Sequence, residues 1–176
     1  MQFSNREMEF LGHIVGVFGI KPDSRKTEVI LQYKFPGSPK EMVSFLGLIG
    51  YYRKFIYNFA ERAHMLRKFA KEESLTTEQM VMAKQQFEDI KRVITAQPIL
   101  GYPDFSATAG IFKLFTDASM HGFGAILSQD KQFNTVVIAF ASKVTTEAES
   151  RWSQPELETA AIVWAVKKFE AYLKIH

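Results

Sequence analysis

Two acidic residues in the C-terminal half of the sequence stand where a carboxylate could bind a metal ion. Asp117 lies in the stretch IFKLFTDASMHGFGAILSQ, at the point where one predicted strand ends and turns into another. Glu158 lies further on, in SQPELETAAIVWAVKKFEAYL, which predicts a helix. Carboxylates and water are the ligands that magnesium prefers in proteins. The two residues together indicate half of a metal site.

The final helix separates the roles of its two glutamates. Ser153 and Glu156 have the spacing of a capping box, so Glu156 is interpreted as structural. Glu158 lies about 200° further around the helix and is predicted to point towards the core. That predicted face also carries Ile162, Ala165, Phe169 and Leu173. A buried carboxylate needs a cation, a donor or solvent, and a metal shared with Asp117 would supply the cation.

Each acid also has a structural explanation. Asp117 could form a turn, and Glu158 stands in a first turn, where the helix dipole favours any acid. The order of the elements that carry them is what favours a metal site. The remaining acids of TTEAESRW and the histidines lack metal-ligand spacing, and we assign no chemistry to Glu147, Glu149, His13, His64 and His121.

Composition limits the class of protein. The chain has 176 residues, of which 47% are hydrophobic, enough to bury a core in one domain or two small ones. There is no cysteine, and hence no disulfide or thiolate zinc site. No membrane span or signal peptide is recognisable, which predicts an intracellular protein without a membrane partner. The net charge of +3 is compatible with a polyanionic partner.

The predicted elements form a mixed α/β chain. Residues 8–20 indicate a glycine-punctuated hairpin, followed by a helix through Ile30. Ser38, Pro39 and Glu41 open a helical stretch that reaches Phe69, with Glu41 reaching back to the cap. A third helix begins at Thr76-Thr77-Glu78-Gln79. Beyond it, three antiparallel strands are predicted at Ile111 to Thr116, Gly122 to Ser128 and Thr135 to Ser142, with a turn at Asp130-Lys131-Gln132, before the final helix from Ser153 to about Tyr172. The change of period near Pro98 predicts that the helical stretch packs separately from this sheet.

Several motifs in one order resemble a known family. The strand with TDAS, the return strand GFGAILSQ, IAFAS and the final helix resemble the ribonuclease H region of Ty3/gypsy-type retrotransposon Pol polyproteins. Upstream, FLGHIVGVFGIKPDSRKTEVI resembles the end of a reverse transcriptase palm, and SPKEMVSFLGLIGYYRKFIYNFAERAHML resembles the thumb. The segment QQFEDIKRVITAQPILGYPDF resembles the helix that connects to ribonuclease H.

The resemblance implies a domain division and a set of roles. Residues 1–36 would end the palm, residues 37–75 would form the helical thumb, and residues 76–176 would form the connecting helix and an incomplete ribonuclease H-like domain. Asp117 and Glu158 would be catalytic ligands of Mg²⁺ in the complete parent enzyme. Nucleic-acid contacts would come from the primer-gripping residues Phe10, Leu11, Gly12 and His13, and from the thumb residues Arg53 and Lys54, with Arg62 and Lys68. The implied partners are an RNA/DNA hybrid or primer-template duplex and the remainder of the Pol polyprotein.

The sequence departs from the family pattern at places that matter for activity. It contains no Asp-Asp pair, so the polymerase metal site of a Tyr-x-Asp-Asp segment is absent. The family places a further aspartate on a strand after the Glu158 helix, and the printed sequence ends at His176 without it. We therefore expect a fragment of a reverse transcriptase and ribonuclease H that is inactive alone. The alternatives are a non-catalytic nucleic-acid-binding module from a co-opted element and an inert pseudogene product.

Overall fold

The computed structural model describes residues 7–71, 74–96, 98–131 and 134–174. They form two antiparallel sheets, each of three strands in sequential order, and seven α-helices with two short 3₁₀ turns. The first half contains β1 (Glu7–Phe10), β2 (His13–Gly16), β3 (Gly19–Pro22), α1 (Ser24–Gln32), α2 (Pro39–Tyr51), a 3₁₀ turn (Arg53–Phe55), α3 (Phe59–Arg62), α4 (His64–Lys71) and α5 (Thr77–Thr95). The second half contains β4 (Phe112–Ser119), β5 (Gly122–Lys131), β6 (Asn134–Val144), a 3₁₀ turn (Glu149–Arg151), α6 (Gln154–Lys168) and α7 (Glu170–Leu173).

The predicted helix starts are confirmed by their caps. Ser38 accepts the Glu41 N–H at 3.3 Å, but the Glu41 carboxylate reaches one residue beyond the cap and accepts the N–H of Gly37 at 2.8 Å. Thr76 and Gln79 close a full capping box at the start of α5. None of the described helices is long and apolar enough to cross a bilayer.

The larger core lies between the helices of the first half. Phe45, Phe55 and Phe87 are fully buried there, and the Phe45 and Phe87 ring centroids lie 4.6 Å apart. An extended link joins this core to both sheets, because Leu100 exchanges two backbone hydrogen bonds with Ile20 while the neighbouring Gly101 N–H donates to Val137. The described chain is therefore packed continuously from the first sheet to the last.

The sheet of β4, β5 and β6, here called the C-terminal sheet, follows the predicted meander. The predicted turn at Asp130-Lys131-Gln132 is wrong for its first two residues, because Asp130 and Lys131 lie in β5 and pair with Thr135 and Asn134 of β6, while Gln132 lies outside the described residues. Side chains alternate across a strand, so β4 presents Phe112, Leu114 and Ala118 to α6. α6 covers this face with Leu157, Ala161, Ala165 and the following Phe169. The strands and covering helix match the expected order.

The opposite face of the C-terminal sheet is covered by the segment of residues 53–71, here called the helical segment. The prediction that the helices pack separately from the sheet is wrong, since the first 3₁₀ turn and α3 contact β6, and α3 also contacts β5. Two glycines of β5 make room for them. A Cβ on Gly122 would stand 2.5 Å from the Ala60 Cβ, and a Cβ on Gly124 would stand 3.0 Å from the Asn58 Oδ1. The apolar contact continues at Phe140 of β6, whose ring lies 6.1 Å from that of Tyr57.

Two histidines meet at the end of this interface. The rings of His64, on α4, and His121, in the β4–β5 turn, stack with centroids 3.6 Å apart. Burial lowers the pKa of His64, and so do the neighbouring His121, Lys68 and Arg67, while Glu61 opposes them. The docked arrangement thus favours the neutral form of His64.

Gly122→Ala should destabilise the protein by about 1–3 kcal/mol, because the added methyl has no space against Ala60 and the Lys143 carbonyl. The matched control is Gly47→Ala on α2, where an added Cβ meets nothing within 4 Å. There the better helix propensity should stabilise the protein by about 0.5–1 kcal/mol. Urea unfolding of the two variants measures the difference, and equal effects would contradict the proposed lack of space at Gly122.

Lowering the pH from 7 to 5 should destabilise the protein through His64 and His13, whose pKa burial also lowers. The two histidines protonate near pH 6.5 in the unfolded chain, whereas in the folded state burial keeps them neutral to lower pH. The free energy of unfolding therefore falls as the pH drops through this window. The carboxylates with lowered pKa values act at lower pH, below about 4. The urea midpoint at the two pH values measures the loss. His64→Gln should reduce it, and an identical loss in that variant would exclude His64 as a source.

Candidate functional site

Asp117 lies within β4, which runs three residues further than the predicted strand, to Ser119. It is exposed and directly opposite Gly124 of β5. Because its neighbour Ala118 faces α6, Asp117 points to the other face of the sheet, towards the helical segment. There its Oδ2 accepts a hydrogen bond of 2.9 Å from the Asn58 amide. This predicted metal ligand is thus engaged by the neighbouring helices.

Glu158 stands on the solvent side of α6. The prediction that it shares a buried face is wrong, because Glu158 is exposed and Ile162, on the same face, is 51% exposed. The sheet instead contacts the stripe that begins at Leu157, one position and about 100° away. Glu158 accepts a hydrogen bond of 3.1 Å from Gln154, whose amide also donates to the Ala118 carbonyl at 3.1 Å. Gln154 therefore links Glu158 to the strand that carries Asp117.

Glu156 has the predicted structural role. Its carboxylate accepts the Ser153 N–H at 2.8 Å and the Ser153 hydroxyl at 2.7 Å. These hydrogen bonds, from the side chain first and the backbone second, lower the pKa of Glu156. The Glu156 carboxylate therefore caps the N-terminus of α6.

The described residues do not assemble a complete metal site. No group of three or more histidine, cysteine, aspartate or glutamate side chains in the described ranges is placed to hold a metal ion. Asp117 is turned to one face of the sheet, and Glu158 projects from the helix on the other. A magnesium ion demands near-octahedral oxygen coordination, and these two carboxylates as placed do not fit it. No catalytic step follows from this arrangement.

The four predicted primer-gripping residues form the tight β1–β2 turn. Leu11 and Gly12 both have positive φ angles, 48° and 71°, as a two-residue hairpin turn requires. Phe10 and Leu11 are exposed, while His13 is buried beneath them. His13 Nδ1 lies 2.7 Å from the Leu11 carbonyl, which also accepts from the Tyr51 hydroxyl. The turn is thereby attached to α2, and its apolar tip faces solvent.

Arg53 and Lys54 lie on one wall of a groove between the helical segment and the edge of the C-terminal sheet. The groove encloses about 470 Å³. Its cations define what we call the basic groove: Arg53, Lys54, Arg67, Lys143 and Lys168. A second cavity of about 220 Å³ adjoins it and adds His64, Lys68, Lys71 and His121. No described aspartate or glutamate lines either cavity.

Arg67 is the half-buried centre of the basic groove. Its guanidinium donates to the Ala60 carbonyl at 2.7 Å and lies 5.1 Å from the Phe59 ring centroid. Burial lowers the pKa of Arg67, and the positive charge of Arg53 lowers it further. Two like charges without a carboxylate between them attract an anion. Among the groove cations of the described chain, only Lys143 forms an ion pair, with Glu149 at 2.6 Å.

The sequence indicated part of this cation set. Arg53 and Lys54 were predicted, and Lys68 lies in the adjoining cavity. Arg62 was expected there too, but its guanidinium is ion-paired with Asp89 and donates to the Tyr57 carbonyl at 2.9 Å. Arg67, Lys143 and Lys168 were missed. They come from three separate elements, and no spacing along the chain shows that folding brings them together.

Comparisons with known proteins agree with this architecture. Residues 81–176 match the family model described as the RNase H-like domain found in reverse transcriptase. The chain is 42% identical over 172 residues to the retrovirus-related Pol polyprotein from transposon 297 of Drosophila melanogaster, covering 98% of this chain and 16% of that protein. The Pol polyprotein from the gypsy transposon of the same organism is 33% identical over 183 residues, covering 98% of this chain and 17% of that protein. The chain therefore spans less than a fifth of these relatives.

Solved structures show the same fold. The foamy viral protease-reverse transcriptase in complex with an RNA/DNA hybrid has a TM-score of 0.72 and 22% identity, over 94% of this chain and 22% of that one. The same viral protein in complex with double-stranded DNA has a TM-score of 0.73 and 22% identity, over 96% of this chain and 35% of that one. The chain belongs to the RNase H-like domains found in reverse transcriptase, within a region similar along nearly its whole length to gypsy-type transposon Pol polyproteins.

Proposed function

We propose that this chain is a nucleic-acid-binding part of a retrotransposon reverse transcriptase and ribonuclease H, and that the basic groove contacts the phosphate backbone of a duplex. The observation that carries the proposal is the groove itself. Five cations line it, no described acid does, and only Lys143 among them has an ion-pair partner in the described chain. Phosphate contacts from arginine and lysine dominate the affinity of such interfaces.

The groove has the composition that a backbone contact needs. Arg53 and Lys54 approach from the helical segment, and Lys168 approaches from α6, so the cations stand on both walls. Trp164 and Phe140 add apolar lining between them. Base edges are read by paired donors and acceptors, whereas this set offers mainly positive charge. The expected ligand is therefore a primer-template duplex or RNA/DNA hybrid bound without sequence preference, the ligand classes in the foamy viral complexes.

The remaining assignments belong to the same proposal. The helical segment and α2 act as the thumb, and the turn from Phe10 to His13 grips the primer end. In a complete parent enzyme, Asp117 and Glu158 would be two of the carboxylates that hold Mg²⁺, and the bound metal would supply activation of water. That site would need ligands beyond these two.

A non-catalytic binding module is the second candidate. Two observations favour it: the Asp117 carboxylate accepts a hydrogen bond from Asn58, and no third acid in the described residues is grouped with Asp117 and Glu158. Under this reading the groove binds nucleic acid while the two carboxylates stay structural. Binding without cleavage is the behaviour expected of such a module.

Binding to an RNA/DNA hybrid should weaken steeply with salt. Four groove cations without an ion pair in the described chain predict a log–log slope of about −3 to −4, at about 0.9 per neutralised phosphate. The double variant Arg53→Ala/Lys168→Ala should reduce the magnitude of the slope by about 2, while the exposed Lys40→Ala, outside the groove, should leave it unchanged. Fluorescence anisotropy at about 50 to 300 mM salt, a range over which counterion release changes the affinity measurably, provides the slopes. A salt-independent or sequence-selective affinity would refute the groove as the binding site.

The 176-residue chain should not cut the RNA strand of a hybrid in magnesium or manganese. Its two carboxylates as placed do not complete a two-metal site. Gel analysis of an end-labelled hybrid, with Asp117→Asn as control, tests this. Metal-dependent cleavage by the wild-type chain that Asp117→Asn abolishes would show that the pair suffices for catalysis.

A further inference from the structure

Two histidines line the smaller cavity beside the basic groove. His64 of α4 and His121 of the β4–β5 turn stack there, with their ring centroids 3.6 Å apart. Arg67, Lys68 and Lys71 complete the charged lining of what we call the histidine cavity, and no described aspartate or glutamate joins them. Stacking uses the faces of the two rings, whereas hydrogen bonds are made by the nitrogens at their edges. The cavity therefore combines three cations with two side chains that become cations on protonation.

The turn that carries His121 is fixed by hydrogen bonds on both sides. The His121 N–H donates to the Ser119 hydroxyl at 3.1 Å, and the His121 carbonyl accepts the Thr145 N–H at 3.4 Å. The Ser119 hydroxyl in turn donates to the carboxylate of Glu61 on α3. The histidine cavity is thus a built feature of the interface between the helical segment and the C-terminal sheet.

The surroundings of His64 disfavour its protonated form. Burial lowers the pKa of His64 most, followed by His121 of the turn and by Lys68 and Arg67 of its own helix. Glu61 of α3 acts in the opposite direction, and β6 borders the cavity with an apolar side chain. A negative charge placed in the cavity would offset the repulsion from these cations and favour protonation of the ring.

We propose that the histidine cavity binds one tetrahedral oxyanion of the phosphate class, and that the histidine pair takes up a proton when the anion binds. The volume of about 220 Å³ lies below the roughly 300–1,000 Å³ of pockets that hold drug-sized ligands, so it suits a group of a few atoms. The phosphate belongs either to a nucleic-acid backbone or to a free anion. The first source rests on the proposed duplex binding, whereas the site itself does not.

Protonation and anion binding strengthen each other by linkage. Because the anion raises the pKa of His64, the complex holds more protons than the free protein over the range in which His64 titrates. The affinity for the anion therefore rises as the pH falls through that range. The cations of the basic groove are arginines and lysines, which ordinarily titrate far above it. The pH dependence of binding thus distinguishes the histidine cavity from the groove.

Sulfate is the probe of the histidine cavity, because it stays a dianion where histidine titrates and any pH dependence then comes from the protein. NMR of the His64 ring in the full 176-residue chain gives its titration in sulfate and in chloride at equal ionic strength. The ring of His13, beneath the β1–β2 turn, is the reference for general salt effects. Relative to His13, the His64 midpoint should move to higher pH in sulfate. Equal midpoints in the two salts would overturn the proposal.

The sulfate affinity of the wild type should rise about five-fold or more between about pH 7.5 and about pH 5.5. Lys68→Gln/Lys71→Gln removes two cations without changing the stacked rings and should abolish the difference between sulfate and chloride. The matched control is Lys40→Gln on α2, an exposed lysine outside the cavity, which should retain it. His121→Phe keeps a ring against His64 and should reduce the rise in affinity. Full retention of the sulfate effect in the Lys68→Gln/Lys71→Gln chain would exclude this cavity as the site.

An RNA/DNA hybrid distinguishes the two sources of phosphate. With a backbone phosphate in the cavity, the hybrid affinity at constant salt should rise over the same pH range, and His64→Gln should remove that rise. A hybrid affinity that is independent of pH, together with the sulfate effect on His64, would assign the cavity to a free anion. Loss of hybrid binding in Arg53→Ala/Lys168→Ala would leave the sulfate result unchanged, so the two proposals fail separately.

Discussion

The close approach of α3 to β5 is the contact on which the remaining features depend. Gly122 and Gly124 leave no side chain on the sheet at this point, and Ala60 and Asn58 enter the space. A Cβ at position 122 would require Ala60 or the Lys143 carbonyl to shift, and a Cβ at position 124 would press on the Asn58 side chain. With the segment in place, Arg67 reaches the edge of β6 and Asn58 reaches Asp117. One packing contact thus positions both the basic groove and the hydrogen bond between Asn58 and Asp117.

The cations of the basic groove repel one another, and this repulsion destabilises the folded protein in the absence of a ligand. Arg53 lowers the pKa of Arg67, which means that each cation disfavours the other's charge. The stacked ring of Phe59 and the Ala60 carbonyl compensate part of the desolvation of Arg67, but neither supplies a negative charge. A bound phosphate would supply it. Sites of this kind are destabilised relative to a neutral surface and gain from ligand binding what they lose in the free state.

The sequence predicted local structure well because the signals for it are local. The caps at Ser38, Thr76 and Ser153, the three strands and the final helix all depend on residues within a few positions of one another. Glu158 was placed on the wrong face because apolar residues surround α6, and Leu157 and Ile162 compete as markers of the buried stripe. Only the sheet decides between them.

The larger omissions concern contacts between distant parts of the chain. The glycines of GFG predicted a strand that returns from a turn, and nothing near them indicates that α3 packs against them. Likewise Arg67 has the appearance of a solvated helix residue until β6 and α6 are placed beside it. The resemblance to gypsy-type elements correctly identified the family of the chain. A sequence motif does not show, however, to which face of a sheet or helix a side chain points. Asp117 illustrates this, because it lies at the expected place in the motif, yet its side chain points to the helical segment and accepts a hydrogen bond from Asn58.

Ligand binding in the basic groove is linked to the docking of the helical segment on the sheet, because the groove spans that interface. An anion in the groove would contact Arg53 and Arg67 on the helical segment together with Lys168 on α6, so it favours the docked state over any opened one. By linkage, the anion must strengthen the docking by the same factor by which docking strengthens the binding of the anion. The close approach of Ala60 to Gly122 therefore contributes to ligand affinity as well as to stability, although neither residue carries a charge.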